Sequence, residues 1–338
     1  MKLYSAIDLH STNSYIAVLN EDLSVVGQRK LSNDLDAILA FFEPYRSELA
    51  GIAVESTFNW YWLVDGLMDA GYQAHLVNPA AVKRYDGLKY TDDRHDARWL
   101  AHLLALGILP EGYIYPQEDR PLRDLLRRRA FLVRKRTSLL LAERNIFERN
   151  TGTRANCNDL KRWTVRSVQE SMGNPMIALS MTSMLRVSRA IDRQVKEIEA
   201  VVLGEAKLRD EFQLLRTVRG IGQTIALTIM YEVGDIGRFA KVGNFASYCR
   251  CVRTQRLSNG KSKGVGNKRN GNPYLSWAFT EAAHFAVRFE PLAKRFFDRK
   301  RASTNAIVAH RALANKLARA CYYVIKNQVP FEPERAFS

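Results

Sequence analysis

The sequence predicts a mixed α/β domain, then two long helices, then a mostly α-helical domain. Three observations lead to this order. Short apolar, β-type runs alternate with polar turns over the first third of the chain. Apolar residues recur every seven positions through the middle. A basic, glycine-containing loop follows helical stretches in the last third. We therefore predict three domains, at residues 1–118, 119–204 and 205–338.

The elements of the first third follow one another in the order βββαβαβα. Three runs, "LYSAIDLHST", "SYIAVLN" and "SVVGQRKL", predict an antiparallel meander. A helix over about 34–49 comes next, and "GIAVES" then predicts a buried strand. The helical run "NWYWLVDGLMDAG" ends at Gly71, and "YQAHLVNP" is a further short strand. A last helix runs to about Gly107. This order predicts a mixed sheet within an α/β layer.

Four carboxylates occupy places in this domain that need an explanation. Asp8 lies inside an apolar strand, where a buried carboxylate is costly unless it is paired or bound to metal. Glu55 ends a central strand, and Asp93 and Asp96 share one helical face. We expect them to meet at one edge of the sheet and to bind two divalent ions. The alternatives are a hydrogen-bonded structural role for Asp8, and a helix-cap or helix-dipole role for any single acid of the 92–96 cluster. We assign the cap, or a solvated position, to Asp92, and the inward-facing pair to Asp93 and Asp96.

The middle of the chain carries two apolar repeats. They predict coiled-coil helices and a homodimer, although a hairpin within one chain fits the same repeat. Basic residues at 127–129 and 134–136, all arginine except Lys135, give the first helix a face for a nucleic-acid backbone. The repeating positions are Leu125/Leu126, Leu132/Val133, Leu139/Leu140 and Ile146/Phe147, then Ile177, Met181, Met184, Ser188, Ile191, Val195, Ile198 and Val202.

The charge of the chain indicates a nucleic-acid partner. Lys and Arg number 51 against 35 Asp and Glu, which gives a formal net charge of +16. Gly220 and Gly222 form a G-x-G turn between helical stretches, similar to a helix-hairpin-helix that contacts a DNA phosphate. The segment between Arg250 and Arg269 contains basic residues and no acidic one. The residues that we predict to contact phosphate there are Arg253, Arg256, Lys261, Lys263, Lys268 and Arg269.

Other classes of protein are disfavoured by composition. No run reaches 18 uncharged apolar residues, and Asp8 interrupts the N-terminal apolar run, which argues against a membrane span and a signal peptide. Four cysteines are few for a disulfide framework. Cys249 and Cys251 have no histidine nearby, so we predict no zinc site. We expect a cytoplasmic, nucleoid-associated protein of a prokaryote, with reduced thiols and no membrane partner.

The motifs together resemble one family of insertion-sequence transposases. The resemblance rests on "AIDLH", "AVEST" and "TDDRHDARWLA" in the first third, and on "FAKVGNFASYCRC" and "RLSNGKSKGVGNKRNGNPYLSWAF" in the last. It implies an RNase H-like (RuvC-like) N-terminal domain whose Asp8, Glu55, Asp93 and Asp96 bind Mg²⁺ or Mn²⁺. Two details depart from the family pattern: Asp92 replaces Thr or Ser, and "CRCV" replaces Gly-Leu-x-Pro.

The same resemblance implies a serine recombinase guided by a structured bridge RNA, with pilin-gene invertases as relatives. Ser258 matches the nucleophilic serine, and Ser262 is the alternative. The implied partners are double-stranded DNA at the element ends and at the target, a guide RNA, and further copies of the chain, as a dimer or as a tetramer on DNA.

Three other functions are alternatives to this one. A metal-dependent endonuclease or junction resolvase keeps the four acids but needs no covalent serine intermediate. An actin-like ATPase or sugar kinase is disfavoured because His10 replaces the glycine of its phosphate loop in "DLHST". A non-catalytic nucleic-acid scaffold leaves the buried Asp8 unexplained.

Overall fold

The computed structural model describes residues 2–82, 93–207, 209–252, 254, 257–259, 261–264 and 270–337. The chain divides into two compact units, Met1–Gln117 and Glu118–Ser338. The predicted middle and C-terminal domains both fall in the second unit, and their separation from each other stays a prediction.

The first unit is built on a five-stranded mixed sheet. The strand order is β3-β2-β1-β4-β5, with β1–β2–β3 antiparallel and β4 and β5 parallel to β1. This confirms the predicted meander and the mixed sheet. The strands are β1 Leu3–Leu9, β2 Asn13–Leu19, β3 Val25–Ser32, β4 Leu49–Glu55 and β5 Ala74–Val77.

Helices cover both faces of the sheet. They are α1 Leu35–Phe42, α2 Tyr61–Asp69 and α3 Asp93–Ala105. Large side chains such as Ile7 and Val54 pack with α1 and α2 on one face. The small side chains of Ala6 and Ala53 lie on the other face, where Leu100 and Ala101 of α3 pack. Helix α1 is shorter than predicted, because a 3-10 turn with Pro44 replaces its second half.

The second unit begins with a long helical hairpin. Helices α4 Arg120–Thr151 and α7 Pro175–Ala206 pack along each other, with α5 Cys157–Leu160 and α6 Val165–Ser171 between them in the chain. Ion pairs join Arg129 to Glu199 and Arg136 to Asp192, which fixes an antiparallel arrangement. The apolar repeats therefore pair within one chain, as the hairpin alternative predicted. A dimer stays a prediction.

The rest of the second unit is mostly helical, as predicted. Helix α9 lies at its centre, and every residue from Ile225 to Val233 is buried. None of the helices in the described residues combines the length and hydropathy needed to cross a bilayer. The elements are α8 Asp210–Arg216, α9 Gln223–Val233, α10 Val242–Tyr248, β6 Leu257–Ser258, β7 Lys261–Ser262, α11 Pro273–Phe289, α12 Pro291–Ser303, α13 Ala306–Asn327 and α14 Pro333–Phe337.

Candidate active site

The four acids predicted from the sequence come from β1, β4 and the start of α3. Side chains of a strand alternate between the faces of the sheet. Asp8 shares the face of Ala6, and Glu55 shares the face of Ala53, so both acids lie on the side covered by α3. Asp93 and Asp96 begin α3 on the face that Ala97 and Leu100 bury against the sheet. We call these four residues the acidic site. The predicted cap, Asp92, lies outside the described residues.

Asp8 is at the centre of this arrangement. It is buried, with 4% of its surface exposed, whereas the other three acids are half-buried. Burial, a hydrogen bond to the Glu55 carboxyl and the charges of Glu55 and Asp96 raise the pKa of Asp8 to about 7. Negative charge is therefore crowded around a buried carboxyl. A cation held there would relieve this repulsion.

His10 also belongs to this site, and the sequence analysis missed it. Its Nε2 atom lies 3.2 Å from Oδ2 of Asp8 and 3.5 Å from Oδ2 of Asp93. The signal was present in the sequence, because His10 follows Asp8 by two positions and the same face of a strand repeats with a period of two. It was read only as a replacement for the glycine of a phosphate loop.

The residues present fit a divalent cation. One ligand atom from each of Asp8, His10 and Asp93 lies within 4.8 Å of the other two. The Nε2 atom of His10 is buried and makes no hydrogen bond, so its contacts with the two carboxylates lack hydrogen-bond geometry. Carboxylate oxygens suit Mg²⁺ and Mn²⁺, and an imidazole nitrogen is a ligand of divalent transition metals, among which Mn²⁺ binds least tightly.

The predicted serine lies in the second unit, on a tight hairpin. We call residues 251–271 the serine loop. Ser258 is exposed and pairs with Lys261 across the antiparallel strands β6 and β7. Asn259, between them, has φ +49°, as the turns of two-residue hairpins require. Lys261 and Lys263 are exposed. The predicted contacts Arg253, Arg256, Lys268 and Arg269, and the side chain of Ser262, lie outside the described part of the chain.

The two ends of the serine loop are tied together. The Nε of Arg250 donates to the carbonyl oxygens of Asn270 and Gly271, at 3.1 Å each. The backbone N–H of Asn272 donates to Tyr248 at 2.6 Å. Gly271 has φ +87°, and a Cβ there would lie 2.5 Å from the Tyr248 carbonyl oxygen, so this position requires glycine. The loop is consequently closed at its base.

A buried carboxylate anchors this base to the helical core. Glu232 of α9 is 2% exposed and accepts two hydrogen bonds from Arg127 of α4, at 2.7 and 2.8 Å. It also accepts from the Nδ2 of Asn272 at 2.6 Å. The Oδ1 of Asn272 then caps α11 by accepting from the N–H groups of Tyr274 and Leu275. One carboxylate thus joins three helices and the end of the serine loop.

The two glycines of the G-x-G turn differ in their surroundings. Gly220 has φ +104°, and a Cβ there would lie 2.7 Å from backbone atoms of Ala282 and Ala286 in α11. Its lack of a side chain is thus needed for helix packing. Gly222 is the N-cap of α9 and faces open space. A phosphate contact at either glycine stays a prediction.

The arginines of α4 do not form one continuous basic face. Arg127, Arg129 and Arg136 form ion pairs with acidic residues of α9 and α7. Arg128 and Lys135 are exposed, and their charges lie over the ring of Phe131. The basic face is therefore smaller than the sequence predicts, because heptad spacing does not reveal which arginines have acidic partners.

Two family profiles match this chain. Residues 6–148 match the DEDD transposase profile of IS110, described as "Transposase". Residues 212–298 match "Transposase IS116/IS110/IS902 family". The chain is 25% identical over 288 residues, 80% of its length and 75% of the relative, to the transposase for insertion sequence element IS1111A of Coxiella burnetii. It is 27% identical over 129 residues, 38% and 30% of the two lengths, to the IS110 insertion-element protein of Streptomyces coelicolor.

The acidic α/β unit and the helical second unit therefore define an enzyme of the DNA transposase class. Residues 6–148 and 212–298 are thus similar to IS110 transposases and to the IS116/IS110/IS902 transposases, respectively.

Proposed function

We propose that this transposase cuts and rejoins DNA with a serine nucleophile, assisted by divalent metal at the acidic site. The observation that carries the proposal is the gathering of Asp8, Glu55, Asp93 and Asp96 from three elements around one buried carboxyl. The sheet order β3-β2-β1-β4-β5, with α3 across one face, supports an RNase H-like, RuvC-type interpretation of the first unit. The metal is Mg²⁺, or Mn²⁺.

The residues of the acidic site have separate tasks in this proposal. Asp8 is positioned by its strand. Glu55, Asp93 and Asp96 would complete, with Asp8, the set of oxygen ligands of the ion. A divalent ion bound there would polarise the scissile phosphate and offset the charge that develops on it. The four carboxylates thus carry no proton transfer of their own. They would act on the phosphate through the divalent ion that they bind.

Ser258 supplies the nucleophile. Its Oγ attacks a backbone phosphorus, the serine proton is lost to solvent, and one phosphorus–oxygen bond of the DNA breaks. The deoxyribose oxygen leaves and takes up a proton, so that a phosphoserine ester and a free hydroxyl remain. A DNA hydroxyl from the other duplex then attacks the phosphorus of this ester and loses its proton. The bond from phosphorus to the Ser258 Oγ breaks, the serine oxygen takes up a proton, and a phosphodiester is restored without external energy. Lys261, paired with Ser258 on the hairpin, lies where it offers a positive charge to the same phosphate.

The partners that we propose are duplex DNA, a structured guide RNA and further copies of the chain. The charge of +16 and the exposed Lys261 and Lys263 support a polyanion at the serine loop. The guide RNA rests on the family resemblance. A comparison of binding to the structured RNA from the flank of the element and to a random RNA of equal length tests it, and equal affinity would exclude it.

The serine step is tested by trapping protein on cleaved DNA and mapping the linked residue by mass spectrometry. Wild type should carry DNA on Ser258, and Ser258→Ala should form no adduct and no recombinant. Asn259→Gly on the same hairpin keeps the hydroxyl and accepts the positive φ of the turn, and it is the matched control. An adduct at Ser262 would correct the position of the nucleophile. Cleavage without any adduct would favour the metal-dependent endonuclease or resolvase.

The metal site is tested separately with Asp93→Ala. This variant should lose cleavage while it keeps its circular dichroism spectrum and its affinity for DNA. Asp69→Ala, an exposed acid of α2, should keep full activity. Undiminished cleavage by wild type in EDTA, or by Asp93→Ala, would refute metal assistance.

A further inference from the structure

The backbone of His10 is fixed beside the acidic site by hydrogen bonds, and 40% of its side chain is exposed. Its backbone N–H donates to Asn13, and its carbonyl oxygen accepts from the Nδ2 of Asn33 at 2.9 Å and of Asn59 at 3.1 Å. The ring itself packs edge-to-face on Tyr15, with 6.2 Å between centroids. A side chain supported in this way at both backbone and ring is preorganised for one task.

The surroundings of the Nε2 atom of His10 point to that task. This atom is buried and forms no hydrogen bond, although carboxylate oxygens lie 3.2 and 3.5 Å away. Adjacent ligand atoms of an octahedral ion with bonds of about 2.1 Å lie about 3.0 Å apart. In such a shell each ligand directs its lone pair to the ion and not to its neighbours. The spacing and the missing hydrogen bond both match a shared cation.

We infer that His10 is a nitrogen ligand of the divalent ion held by Asp8 and Asp93, and that this ligand makes the site select Mn²⁺ over Mg²⁺. The inference rests on the metal site proposed above and adds to it a ligand and a metal preference. Mg²⁺ takes oxygen ligands almost exclusively. Imidazole is a ligand of the divalent transition metals, among which Mn²⁺ binds it least tightly. Replacing one oxygen position by nitrogen therefore penalises Mg²⁺ and tolerates Mn²⁺.

Electron spin echo envelope modulation of the full-length protein loaded with Mn²⁺ tests the inference directly. Wild type should show ¹⁴N modulation from an imidazole coordinated to Mn²⁺. His10→Gln, which keeps a polar side chain without an imidazole, should lose this modulation. His75→Gln, in the same unit, is the control and should keep it. His75 lies on β5, where its Nδ1 atom is 3.0 Å from Oε1 of Glu111. Wild type labelled with [¹⁵N]histidine should show ¹⁵N modulation instead, and this measurement needs no substitution.

Metal affinity gives a second readout that does not depend on catalysis. By calorimetry, wild type should bind Mn²⁺ more tightly than Mg²⁺. His10→Gln should weaken Mn²⁺ binding roughly 10- to 100-fold and should leave Mg²⁺ binding little changed. The preference for Mn²⁺ should therefore largely disappear in that variant.

The outcomes separate this inference from the proposed function. If Mn²⁺ binds to wild type, is lost in Asp8→Asn, and shows no histidine nitrogen, the acidic metal site stands and His10 as a ligand is refuted. Persistent modulation in His10→Gln would refute it as well. Failure of wild type to bind either ion at millimolar concentration, with and without DNA, would overturn both this inference and the metal assistance proposed above.

Discussion

Asp8 shows at the scale of one residue how a functional group opposes the stability of the fold. The Asp8 carboxyl is 4% exposed and has other acids around it, so its charged form is destabilised by the loss of water and by repulsion. Most of the other residues of its strand are buried and apolar, and their burial supplies the free energy that keeps it in place. Such conflicts between local stability and burial of charge are typical of active sites.

Replacing Asp8 by asparagine should separate these two effects. Asp8→Asn removes the buried charge and keeps the side-chain shape, so we expect the melting temperature in EDTA to rise by roughly 3 °C or more. Metal binding and cleavage should be lost. Differential scanning calorimetry measures the first effect and a strand-cleavage assay the second. Asp69→Asn, at an exposed position, should change neither quantity, and a less stable Asp8→Asn protein would contradict the argument.

Helix α4 carries a second buried acid, at the scale of one element. Glu143 is 3% exposed, its Oε1 atom has no hydrogen-bond partner, and burial raises its pKa to about 7 from an ordinary value of 4.5. The folded state holds the proton of Glu143 more tightly than the unfolded state does. The contribution of Glu143 to the free energy of unfolding is therefore greatest below about pH 4.5. It falls as the pH rises to about 7 and then stays constant.

Glu143→Gln should therefore stabilise the second unit at pH 8 by up to about 3 kcal/mol and change little at pH 4.5. Urea unfolding followed by circular dichroism at the two pH values measures this difference. Glu197→Gln, at an exposed position of α7 in the same hairpin, should show no such dependence on pH. An equal gain from Glu143→Gln at both pH values would mean that the burial of charge is not its cause.

The α4–α7 hairpin also determines which residues can be used to test the predicted dimer. Val195 is buried within the hairpin, so a charge there would disrupt the fold itself. Three apolar residues of α7 are instead exposed: Met176 (74%), Val187 (51%) and Val201 (50%). They lie on one side of the helix, because about three turns separate the first two and about four turns the last two. We expect Val187→Asp with Val201→Asp to give monomers in light scattering and to keep the helical content. An unchanged mass would place any dimer interface elsewhere.

The contact of Glu232 with Arg127 and Asn272 acts at the scale of the whole second unit, because it joins α4, α9 and α11. Glu232→Ala leaves the half-buried guanidinium of Arg127 and the buried amide of Asn272 without their partner. We expect a loss of about 3 kcal/mol or more in urea unfolding, together with faster hydrogen exchange in α9. Glu170→Ala removes the exposed ion pair with Arg166 and should cost about 0.5 kcal/mol or less. Similar losses in the two variants would contradict this ranking.

The net charge of +16 makes a prediction for the whole molecule. Affinity for DNA should fall steeply as salt rises, because each neutralised phosphate releases counterions. Lys261→Ala with Lys263→Ala should lower the slope of log affinity against log salt by about one for each lysine. Filter binding over a range of NaCl concentrations measures it. Lys196→Ala, an exposed lysine of α7, should leave the slope unchanged if the serine loop is the phosphate contact.

Local pattern alone determined much of this protein. The meander, the mixed sheet, the two long helices and the face shared by Asp93 and Asp96 all follow from periods of 2, 3.5 and 3.6 residues. The carboxyl position of Asp8 in an apolar strand indicated a site, because burial of charge is costly in any fold. These signals are readable because they depend only on neighbouring residues.

Only the tertiary structure decided which groups meet. Heptad spacing is the same for a dimer and a hairpin, so the pairing of α4 with α7 required the folded chain. The partners of Arg127, the burial of Glu143 and the tight contact at Gly220 each depend on residues far away in sequence. His10 was visible as a strand residue, but its position between two carboxylates arises only when α3 crosses the sheet. Contacts between residues far apart in the sequence produce no periodic pattern in it. For that physical reason only the tertiary structure reveals them.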